Sequence, residues 1–416
     1  MNKTLSMVLL CLASGISAES ASAVTLNKEQ QLGRLLYEDK ELSLNRNQSC
    51  ASCHSLQPVG GNRVKSLVPG FVDPDNARNG SSVSKGSIKG VTGGLNSPSA
   101  GYAAQSPAFH WDETQGLYIG GQFWNGRASS LVDQAKGPFL NPAEMAMPNE
   151  LAVISRIKQQ VKYHPLFKEV YGVDLKNLTL DQAKPTFDLV VQAISRFEES
   201  PVLNKFNSKF DFVLAGKTSF TPQEAQGFEL FNRADKGNCA ACHVSEASQN
   251  ELGETVPPMF TDYSYDNIGL PRNVKIPGNP EPNLGLGGRA DIAAVDADGL
   301  EIGKHKVMSL RNIALTAPYG HNGVMPTLED IVHFYNTRDT LGLVVNNKHL
   351  QFGKKGWPLP EIAENLNVDE LGNLKLSAAE EKAIVAFLKT LTDDYPLWGL
   401  DKNVPPGTPS PFNLSR

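Results

Sequence analysis

The sequence lacks several features that would assign it to a familiar class. No apolar run approaches the roughly 20 residues needed to span a bilayer, so no membrane span is expected. Acidic residues outnumber basic ones and the formal net charge is −5, which argues against a nucleic acid partner. The composition, 40% hydrophobic and 20% charged over 416 residues, is that of a globular chain with room for about two or three domains.

The start of the chain has the composition of a cleaved secretory signal peptide, residues 1–23. Lys3 precedes a largely apolar run from Leu5 to Leu12, and the segment ends in the small residues Ala21-Ser22-Ala23. We therefore expect export to the periplasm and a mature chain that begins near Val24.

Cysteine is scarce and concentrated in two places. Apart from Cys11, all cysteines lie in Cys50-Ala-Ser-Cys53-His54 and Cys239-Ala-Ala-Cys242-His243. In a C-x-x-C-H motif two thiols can add to the vinyl groups of haem, and the histidine is placed to ligate the iron. A structural zinc site with four thiolates is the alternative. Because histidine follows both pairs, the motifs favour two covalently bound c-type haems, with His54 and His243 as proximal ligands.

The segments before the two motifs match each other. Leu26–Tyr37 and Thr221–Phe231 have helical apolar spacing, and Gly33-x-x-Leu36-Tyr37 corresponds to Gly227-x-x-Leu230-Phe231. This duplication predicts an N-terminal haem domain over residues 24–215 and a C-terminal haem domain, with a tail, over residues 216–416.

Few segments alternate as strands do, so the predicted fold is mainly α with long irregular loops. Helical patterns are also present at Leu151–Val161 and Asp188–Phe197, and Ser377-Ala-Ala-Glu380 is a capping box that predicts a terminal helix. Residues 60–94 are rich in Gly, Ser, Asn and Pro, which predicts a long surface loop without packed elements.

Several longer motifs accompany the cysteine pairs, and through them the chain resembles the bacterial di-haem cytochrome c peroxidase and MauG family. The resemblance covers nearly the whole mature chain and implies two cytochrome c-like domains, the first peroxidatic and the second an electron-relay site. The motifs are LGRLLYEDKELSLNRNQSCASCH, LNSPS, FWNGRASSLVDQAKGPFLNPAEM, KFDFVLAGKTSFTPQEAQGFELF, NCAACH and SLRNIALTAPYGHNGVMPTLEDIVHFYN.

The stretch between the cysteine motifs carries the residues that the resemblance assigns to peroxide chemistry. Trp124 corresponds to the tryptophan between the haems, and Gln134, Pro138 and Glu144 correspond to distal residues of the first haem. A carboxylate above the iron can also move a proton to the departing peroxide oxygen. Without the motif, Trp124 would be interpreted as a core aromatic and Glu144 as a residue at a helix start.

The sixth ligand of the second haem separates the two branches of the family. Peroxidases that relay electrons have a methionine fourteen residues after the histidine of the APYxH motif, whereas this position here is Tyr335, as in MauG. A phenolate is a hard donor that favours ferric iron. A core role for Tyr335 is the alternative interpretation, and Met325 and Met308 are rival donors at positions that do not match.

Peroxidases that need reductive activation carry a histidine in the loop before the NxPS motif. No histidine lies between His54 and His110, so we expect the first haem to be open to peroxide without prior reduction. The resemblance also implies a calcium ion held by the Asn96 side chain and the backbone carbonyls of Thr316 and Pro318. Contacts of His321 and Arg311 with haem propionates are expected as well.

Three functions follow from these observations. The leading hypothesis is a MauG-like periplasmic enzyme that reacts with hydrogen peroxide and oxidises a protein substrate through a high-valent state shared by both haems. The second is a cytochrome c peroxidase supplied with electrons by a small cytochrome c or cupredoxin. The third is a non-enzymatic di-haem electron carrier or peroxide sensor. Gly237 stands where MauG has its exit tryptophan, and the sequence does not choose among Trp111, Trp357 and Trp398 as substitutes.

Overall fold

The computed structural model describes residues 25–59, 66–249, 253–278 and 281–412, so the predicted signal peptide lies outside the described residues. The chain is mainly helical, as predicted. The helices are α1 Lys28–Glu38, α2 Cys50–Cys53, α3 Pro74–Asn79, α4 Leu131–Leu140, α5 Glu150–Lys158, α6 His164–Tyr171, α7 Ala183–Glu198, α8 Lys209–Leu214, α9 Pro222–Asn232, α10 Ala290–Ala293, α11 Leu328–Thr337, α12 Ala378–Lys389 and α13 Tyr395–Trp398.

Among the residues that the structure describes, strands are short and occur in four separate pairs. Three pairs are antiparallel and one, the last in the chain, is parallel. They are β1 His110–Asp112 with β2 Leu117–Ile119, β3 Ser248–Gln249 with β4 Thr255–Val256, β5 Tyr265–Asp266 with β6 His305–Lys306, and β7 Gly342–Leu343 with β8 Gly356–Trp357.

Helix α1 begins where its capping residues place it. The Asn27 side chain accepts a hydrogen bond from the Gln30 backbone N–H, and the Gln30 side chain accepts one from the Asn27 backbone N–H. Leu32, Leu36 and Tyr37 form the buried face of this helix and pack against α7.

Each of the two matching glycines lies at a close helix crossing. A β-carbon on Gly33 in α1 would lie 1.9 Å from the Ala193 carbonyl oxygen in α7. A β-carbon on Gly227 in α9 would lie 1.9 Å from the Ala383 carbonyl oxygen in α12. The same crossing therefore occurs once in each half of the chain, which gives the sequence repeat a structural meaning.

Replacing either glycine with alanine is expected to lower the free energy of unfolding by about 1–3 kcal/mol, because the added methyl group forces the helices apart. Gly137 is a control within helix α4, where the nearest atom to an added β-carbon is Phe123 Cζ at 3.5 Å. Gly137→Ala should be neutral or stabilising. Urea denaturation of the haem-loaded variants measures the difference, and equal effects at all three positions would contradict this explanation.

The interpretation of residues 60–94 as a loop without packed elements is wrong in part. Within the described residues of this segment, helix α3 begins after Asp73, whose side chain accepts a hydrogen bond from the Asp75 backbone N–H at 2.7 Å. Gly80, with φ of +70°, follows the last helical residue, Asn79. Ala77 is fully buried. An N-cap aspartate, a proline at the first helical position and a glycine after the last turn were the signals for this helix.

Two apolar cores organise the molecule. The first is formed mainly by α1, α5, α6 and α7, and the second mainly by α9, α11 and α12. Phe210 of α8 packs in the second core although it precedes the predicted boundary after residue 215. Within the described ranges, none of the helices combines the length and the apolar character that a bilayer crossing requires.

Candidate active site

The first cysteine motif forms the single turn α2. The Ser49 backbone N–H donates to Ser52 Oγ at 3.0 Å, and the His54 backbone N–H donates to the Cys50 carbonyl at 2.8 Å. Both thiols are free, and Cys50, Cys53 and His54 line one pocket. The local turn therefore presents two thiols and an imidazole to one space.

The His54 side chain is uncharged and only partly satisfied. Burial lowers the pKa of its imidazole to about 4. Nδ1 is buried and has no hydrogen-bond partner among the described residues, and Nε2 lies 3.5 Å from Ser97 Oγ. Because an unpaired buried nitrogen costs free energy, and because metals bind neutral imidazole, this side chain fits a metal-ligand role.

The predicted distal residues line the same pocket as His54. Gln134 and Pro138 are one helical turn apart in α4 and so share a face. Glu144 follows after the end of α4 and also lines this pocket. Residues up to ninety positions apart in the sequence thus line one pocket.

The Glu144 carboxyl is oriented by a neighbour and withdrawn from water. Asn141 Nδ2 donates to Glu144 Oε1 at 2.7 Å. Burial raises the pKa of Glu144, and the Asn141 hydrogen bond and the charge of Arg127 oppose that shift. A carboxyl group with a raised pKa retains its proton to higher pH, which suits an acid that protonates a leaving oxygen.

Sequence reasoning missed a second carboxyl group in this pocket, Glu198. It is the last residue of α7, one position beyond the predicted end of that helix at Phe197. The residue is 5% exposed, Oε2 has no hydrogen-bond partner among the described residues, and burial raises its pKa to about 8. The only signal was a glutamate directly after the last apolar residue of a buried stripe, which is ordinarily a solvated helix end.

Glu198→Gln is expected to reduce the pH dependence of stability. Because the folded pKa, about 8, lies above the ordinary value of 4.5, the folded state binds this proton more tightly than the unfolded state. The free energy of unfolding of the wild type therefore decreases as the pH rises from about 4.5 to about 8. In the glutamine variant this decrease should be smaller by about 2–4 kcal/mol.

Urea unfolding at pH 5 and pH 9 measures this effect. Glu38→Gln is the matched control, since the Glu38 side chain is 39% exposed and pairs with Arg34 on the surface. Equal pH dependence in the wild type and Glu198→Gln would show that the raised pKa is not present in the haem-loaded protein.

The second cysteine motif adopts a tighter turn than the first. Cys239–Ala241 forms a 3₁₀ turn after Asn238, whose φ is +48°, and the His243 backbone N–H donates to the Cys239 carbonyl at 2.8 Å. His243 Nδ1 lies 2.9 Å from the Phe260 carbonyl oxygen. Burial lowers the pKa of His243, so a neutral ring is held with its Nε2 atom available for a metal.

A large, mainly apolar cavity adjoins the second motif. Cys239, Cys242, His243 and Tyr335 all line it. Tyr335 lies in α11, and its phenol oxygen has no hydrogen-bond partner among the described residues. Burial raises the pKa of Tyr335, so the phenol keeps its proton unless a cation such as ferric iron binds the oxygen.

Trp124 lies between the two motifs but borders only one of the two cavities. Its ring lines the second cavity and is not part of the lining of the first pocket. Trp124 Nε1 donates to the Asn96 carbonyl at 2.8 Å, and the next residue, Ser97, contacts His54. Trp124 is therefore connected to His54 through one hydrogen bond to the Asn96–Ser97 peptide unit and one 3.5 Å contact from the Ser97 hydroxyl.

The residues expected near haem propionates have partners of their own. His321 Nε2 lies 3.3 Å from Glu361 Oε2, and its ring stacks on His305 with centroids 3.7 Å apart. The Arg311 guanidinium donates two hydrogen bonds to the Asp211 carboxylate, each 3.0 Å long. Both predicted residues nevertheless line the second cavity, as do the expected calcium-binding residues Asn96, Thr316 and Pro318.

Comparison with known proteins decides the family. The family profile described as di-haem cytochrome c peroxidase matches residues 27–219. The methylamine utilization protein MauG of Paracoccus denitrificans (strain Pd 1222) is 38% identical over 368 residues, covering 87% of this chain and 88% of the relative. The chain is a member of the di-haem cytochrome c peroxidase and MauG family.

Two further similarities extend over most of the chain. Cytochrome c551 peroxidase of Nitrosomonas europaea is 30% identical over 414 residues, covering 95% of this chain and 93% of the relative. The structure of the diheme peroxidase BthA from Burkholderia thailandensis E264 superposes with a TM-score of 0.72 at 28% identity, covering 89% and 87% of the two chains. This di-haem peroxidase family member is therefore an oxidoreductase that uses hydrogen peroxide, and the hypothesis of a non-enzymatic carrier is set aside.

Both motifs of this family member fit covalently bound haem. Each supplies two free thiols and one neutral, half-buried imidazole beside a cavity. In the first, His54 carries a buried nitrogen without a partner among the described residues, and in the second, Tyr335 lines the same cavity as His243. Cys50, Cys53 and His54 would hold one haem, and Cys239, Cys242 and His243 would hold the other.

Proposed function

We propose that this chain is a periplasmic, MauG-like enzyme that reacts with hydrogen peroxide at an open first haem and oxidises a protein substrate. The observation that carries the proposal is the phenol of Tyr335, which lines the same cavity as His243 and whose pKa is raised by burial. A phenolate ligand would stabilise the ferric state of the second haem and lower its potential. Tyr335 would thereby favour the oxidised form of the second site over its reduction by a mild donor.

The first pocket supports an open position for peroxide. Among the described residues that line it, His54 is the only histidine, so no second imidazole is present to close the iron. When bound, haem iron supplies the redox centre that takes up oxidising equivalents from peroxide. Glu144, oriented by Asn141, would move a proton from its carboxyl group to the departing peroxide oxygen, and Gln134 would orient the peroxide by hydrogen bonding.

Trp124 is proposed as the residue that couples the two haem sites. Its indole lines the second cavity, and its N–H is bonded to the backbone beside Ser97, which contacts His54. An indole in that position can hold an electron vacancy for a short time. The domains that it would couple are residues 24–215 and 216–416.

Calcium binding by Asn96, Thr316 and Pro318 is part of the same proposal. The three residues line one cavity, and amide and carbonyl oxygens are ligands that calcium prefers. Because the Asn96 carbonyl also accepts the hydrogen bond of Trp124, an ion at Asn96 would fix the position of that indole. Chelation of calcium is expected to slow electron exchange between the haems and to have a smaller effect on the rate of peroxide binding.

The second candidate function is that of a cytochrome c peroxidase, which the 30% identity to cytochrome c551 peroxidase supports. The two functions differ in their electron donor. Rapid steady-state turnover of peroxide with a reduced small cytochrome c would favour the peroxidase. Slow turnover, together with oxidation of a protein substrate, would favour the MauG-like function.

Tyr335→Phe tests the proposed function at the residue that carries it. We expect the low-spin spectrum of the second haem to change to that of a five-coordinate or water-bound iron, because phenylalanine keeps the ring and removes the donor oxygen. Tyr319→Phe is the matched control. Tyr319 lines the same cavity, but its hydroxyl donates to the Ile313 carbonyl at 2.8 Å. An unchanged low-spin spectrum in Tyr335→Phe would exclude ligation by Tyr335.

A further inference from the structure

A two-stranded hairpin places a tryptophan on the molecular surface. In the β1–β2 pair, Trp111 lies directly opposite Tyr118, and their ring centroids are 4.9 Å apart. Trp111 is 41% exposed. A large aromatic ring that faces solvent and rests on a second ring is a common feature of protein contact sites.

Trp111 is the outer end of a continuous series of aromatic rings. Tyr118 stacks on Phe109 with centroids 5.2 Å apart and planes within 6° of parallel. Phe109 in turn meets Tyr265 edge to face at 5.9 Å. Tyr265 is 7% exposed, so the series runs from solvent to the interior without a gap between neighbouring rings.

The inner end of the series reaches the proposed redox site. Tyr265 in β5 pairs with Lys306 in β6, and the Lys306 backbone N–H donates to the Trp124 carbonyl at 2.8 Å. Asp266, the residue after Tyr265, lines the second cavity together with Cys242. One strand pair therefore joins the ring series to Trp124 and to the second haem site.

We propose that Trp111 is the surface point at which electrons from a protein donor enter this enzyme, and that Tyr118 and Tyr265 carry them inward, with the Phe109 ring as the packed contact between them that is not itself oxidised. This inference rests on the proposed reaction with hydrogen peroxide. Peroxide takes up two electrons and two protons, its O–O bond breaks and two water molecules form. In each one-electron step, the Trp111 indole gives an electron to the inner rings and becomes a radical cation that keeps its N–H proton. The protein donor then gives one electron to the indole and restores it.

Neither of the other candidate tryptophans has this arrangement. Trp357 is 1% exposed, so a partner cannot touch it. The Trp398 indole N–H donates to the Asp393 carbonyl, and its ring meets Tyr395, which leads on to Phe212. Phe212 and Tyr395 belong to a small separate cluster and not to the strand pair beside Trp124.

The charges around Trp111 define the partner as a protein with a basic face. Residues 108–121 contain Asp112 and Glu113 but neither lysine nor arginine. Burial is the largest cause of the raised pKa of Tyr118, and the nearby negative charges of Glu301, Asp291 and Asp296 raise it further. Two cations lie among these acidic groups: Arg289, which stacks on Phe109 and is paired with Asp291 at 2.6 Å, and Lys304, which is paired with Glu301 at 3.2 Å. Asp112, Glu113 and Asp296 add negative charge beyond these two pairs. A basic donor would therefore be attracted to this surface.

The experiment uses the haem-loaded protein with a reduced mitochondrial-type cytochrome c as the basic donor. Trp111→Phe should lower the rate of cytochrome oxidation at least tenfold, because phenylalanine keeps the contact but is far harder to oxidise. Trp398→Phe is the control and should leave that rate unchanged. After peroxide is added without donor, mass spectrometry should find oxygen added at Trp111 in the wild type, and reduced cytochrome c should protect it.

A binding arm needs no peroxide and tests the surface separately. Asp112→Asn combined with Glu113→Gln should weaken cytochrome binding several-fold at low ionic strength, and added salt should remove the difference. If Trp111→Phe oxidises cytochrome c at the same rate as the wild type, and no oxygen is added at Trp111 in the wild type, the proposed electron route is wrong. Unchanged binding in the double variant would overturn the docking surface. A wild type that does not react with peroxide would instead overturn the proposed function, and the binding arm would still decide the surface.

Discussion

Replacing Glu144 with glutamine is expected to slow the reaction of the oxidised protein with hydrogen peroxide by a factor of about 10² to 10⁴, the range typical of a lost general acid or base. Glutamine has nearly the same volume and can still bond to Asn141, which donates to Glu144 Oε1 at 2.7 Å. It cannot transfer a proton to the departing oxygen. Stopped-flow measurement of the second-order rate constant with peroxide gives the effect directly.

Glu169→Gln serves as the control for the loss of a carboxylate. The Glu169 side chain is 53% exposed and pairs with Lys28 on the surface, so its removal should leave the rate constant unchanged. If Glu144→Gln reacts with peroxide as fast as Glu169→Gln, then Glu144 is not the proton donor. Glu198, the second carboxyl group that lines the pocket, would then be the next residue to replace.

Asp211→Asn is expected to lower the free energy of unfolding by about 3–5 kcal/mol, because it leaves a buried guanidinium without its counter-charge. Arg311 and Asp211 are both fully buried and joined by two hydrogen bonds of 3.0 Å. Asp211 Oδ2 also accepts hydrogen bonds from the Ser208 backbone and hydroxyl at the start of α8. One substitution therefore removes a charge partner and weakens a helix cap.

An exposed ion pair provides the comparison. Lys389 and Glu329 lie 3.2 Å apart with side chains 55% and 58% exposed, and Glu329→Gln should cost at most about 1 kcal/mol. Urea unfolding of both variants in the haem-loaded state measures the two values. Similar losses for Asp211→Asn and Glu329→Gln would show that burial does not control the strength of the pair.

The parts of the fold that could be predicted from sequence are those fixed by local interactions. Helices α1, α9 and α12 each begin at a capping box that can be recognised within four residues, and their apolar faces repeat with helical spacing. The matching glycines Gly33 and Gly227 were visible as a repeat. Their physical reason, a carbonyl oxygen 1.9 Å from a would-be β-carbon, depends on a distant helix.

In the candidate site, too, local features could be predicted from sequence and long-range contacts could not. The Cys-x-x-Cys-His motifs are local, so their spacing alone predicted haem attachment, whereas Gln134 and Pro138 were assigned only through the family resemblance. The contact of Glu198 with the first pocket and the ring series from Trp111 to Tyr265 join residues far apart in the chain. The spacing of apolar residues along the sequence does not predict such long-range contacts. Helix α3 was missed for another reason, because the Gly- and Ser-rich composition around it obscured a local capping signal.

The most direct test of the central claim is to add hydrogen peroxide to the fully oxidised haem-loaded protein, without prior reduction, and to follow its absorption and electron paramagnetic resonance spectra. We expect a high-spin first haem at rest, a prompt reaction and a long-lived oxidised state in which the signals of both haems change together. Two low-spin haems at rest that do not react with peroxide until the protein is reduced, or immediate bleaching, would contradict the account.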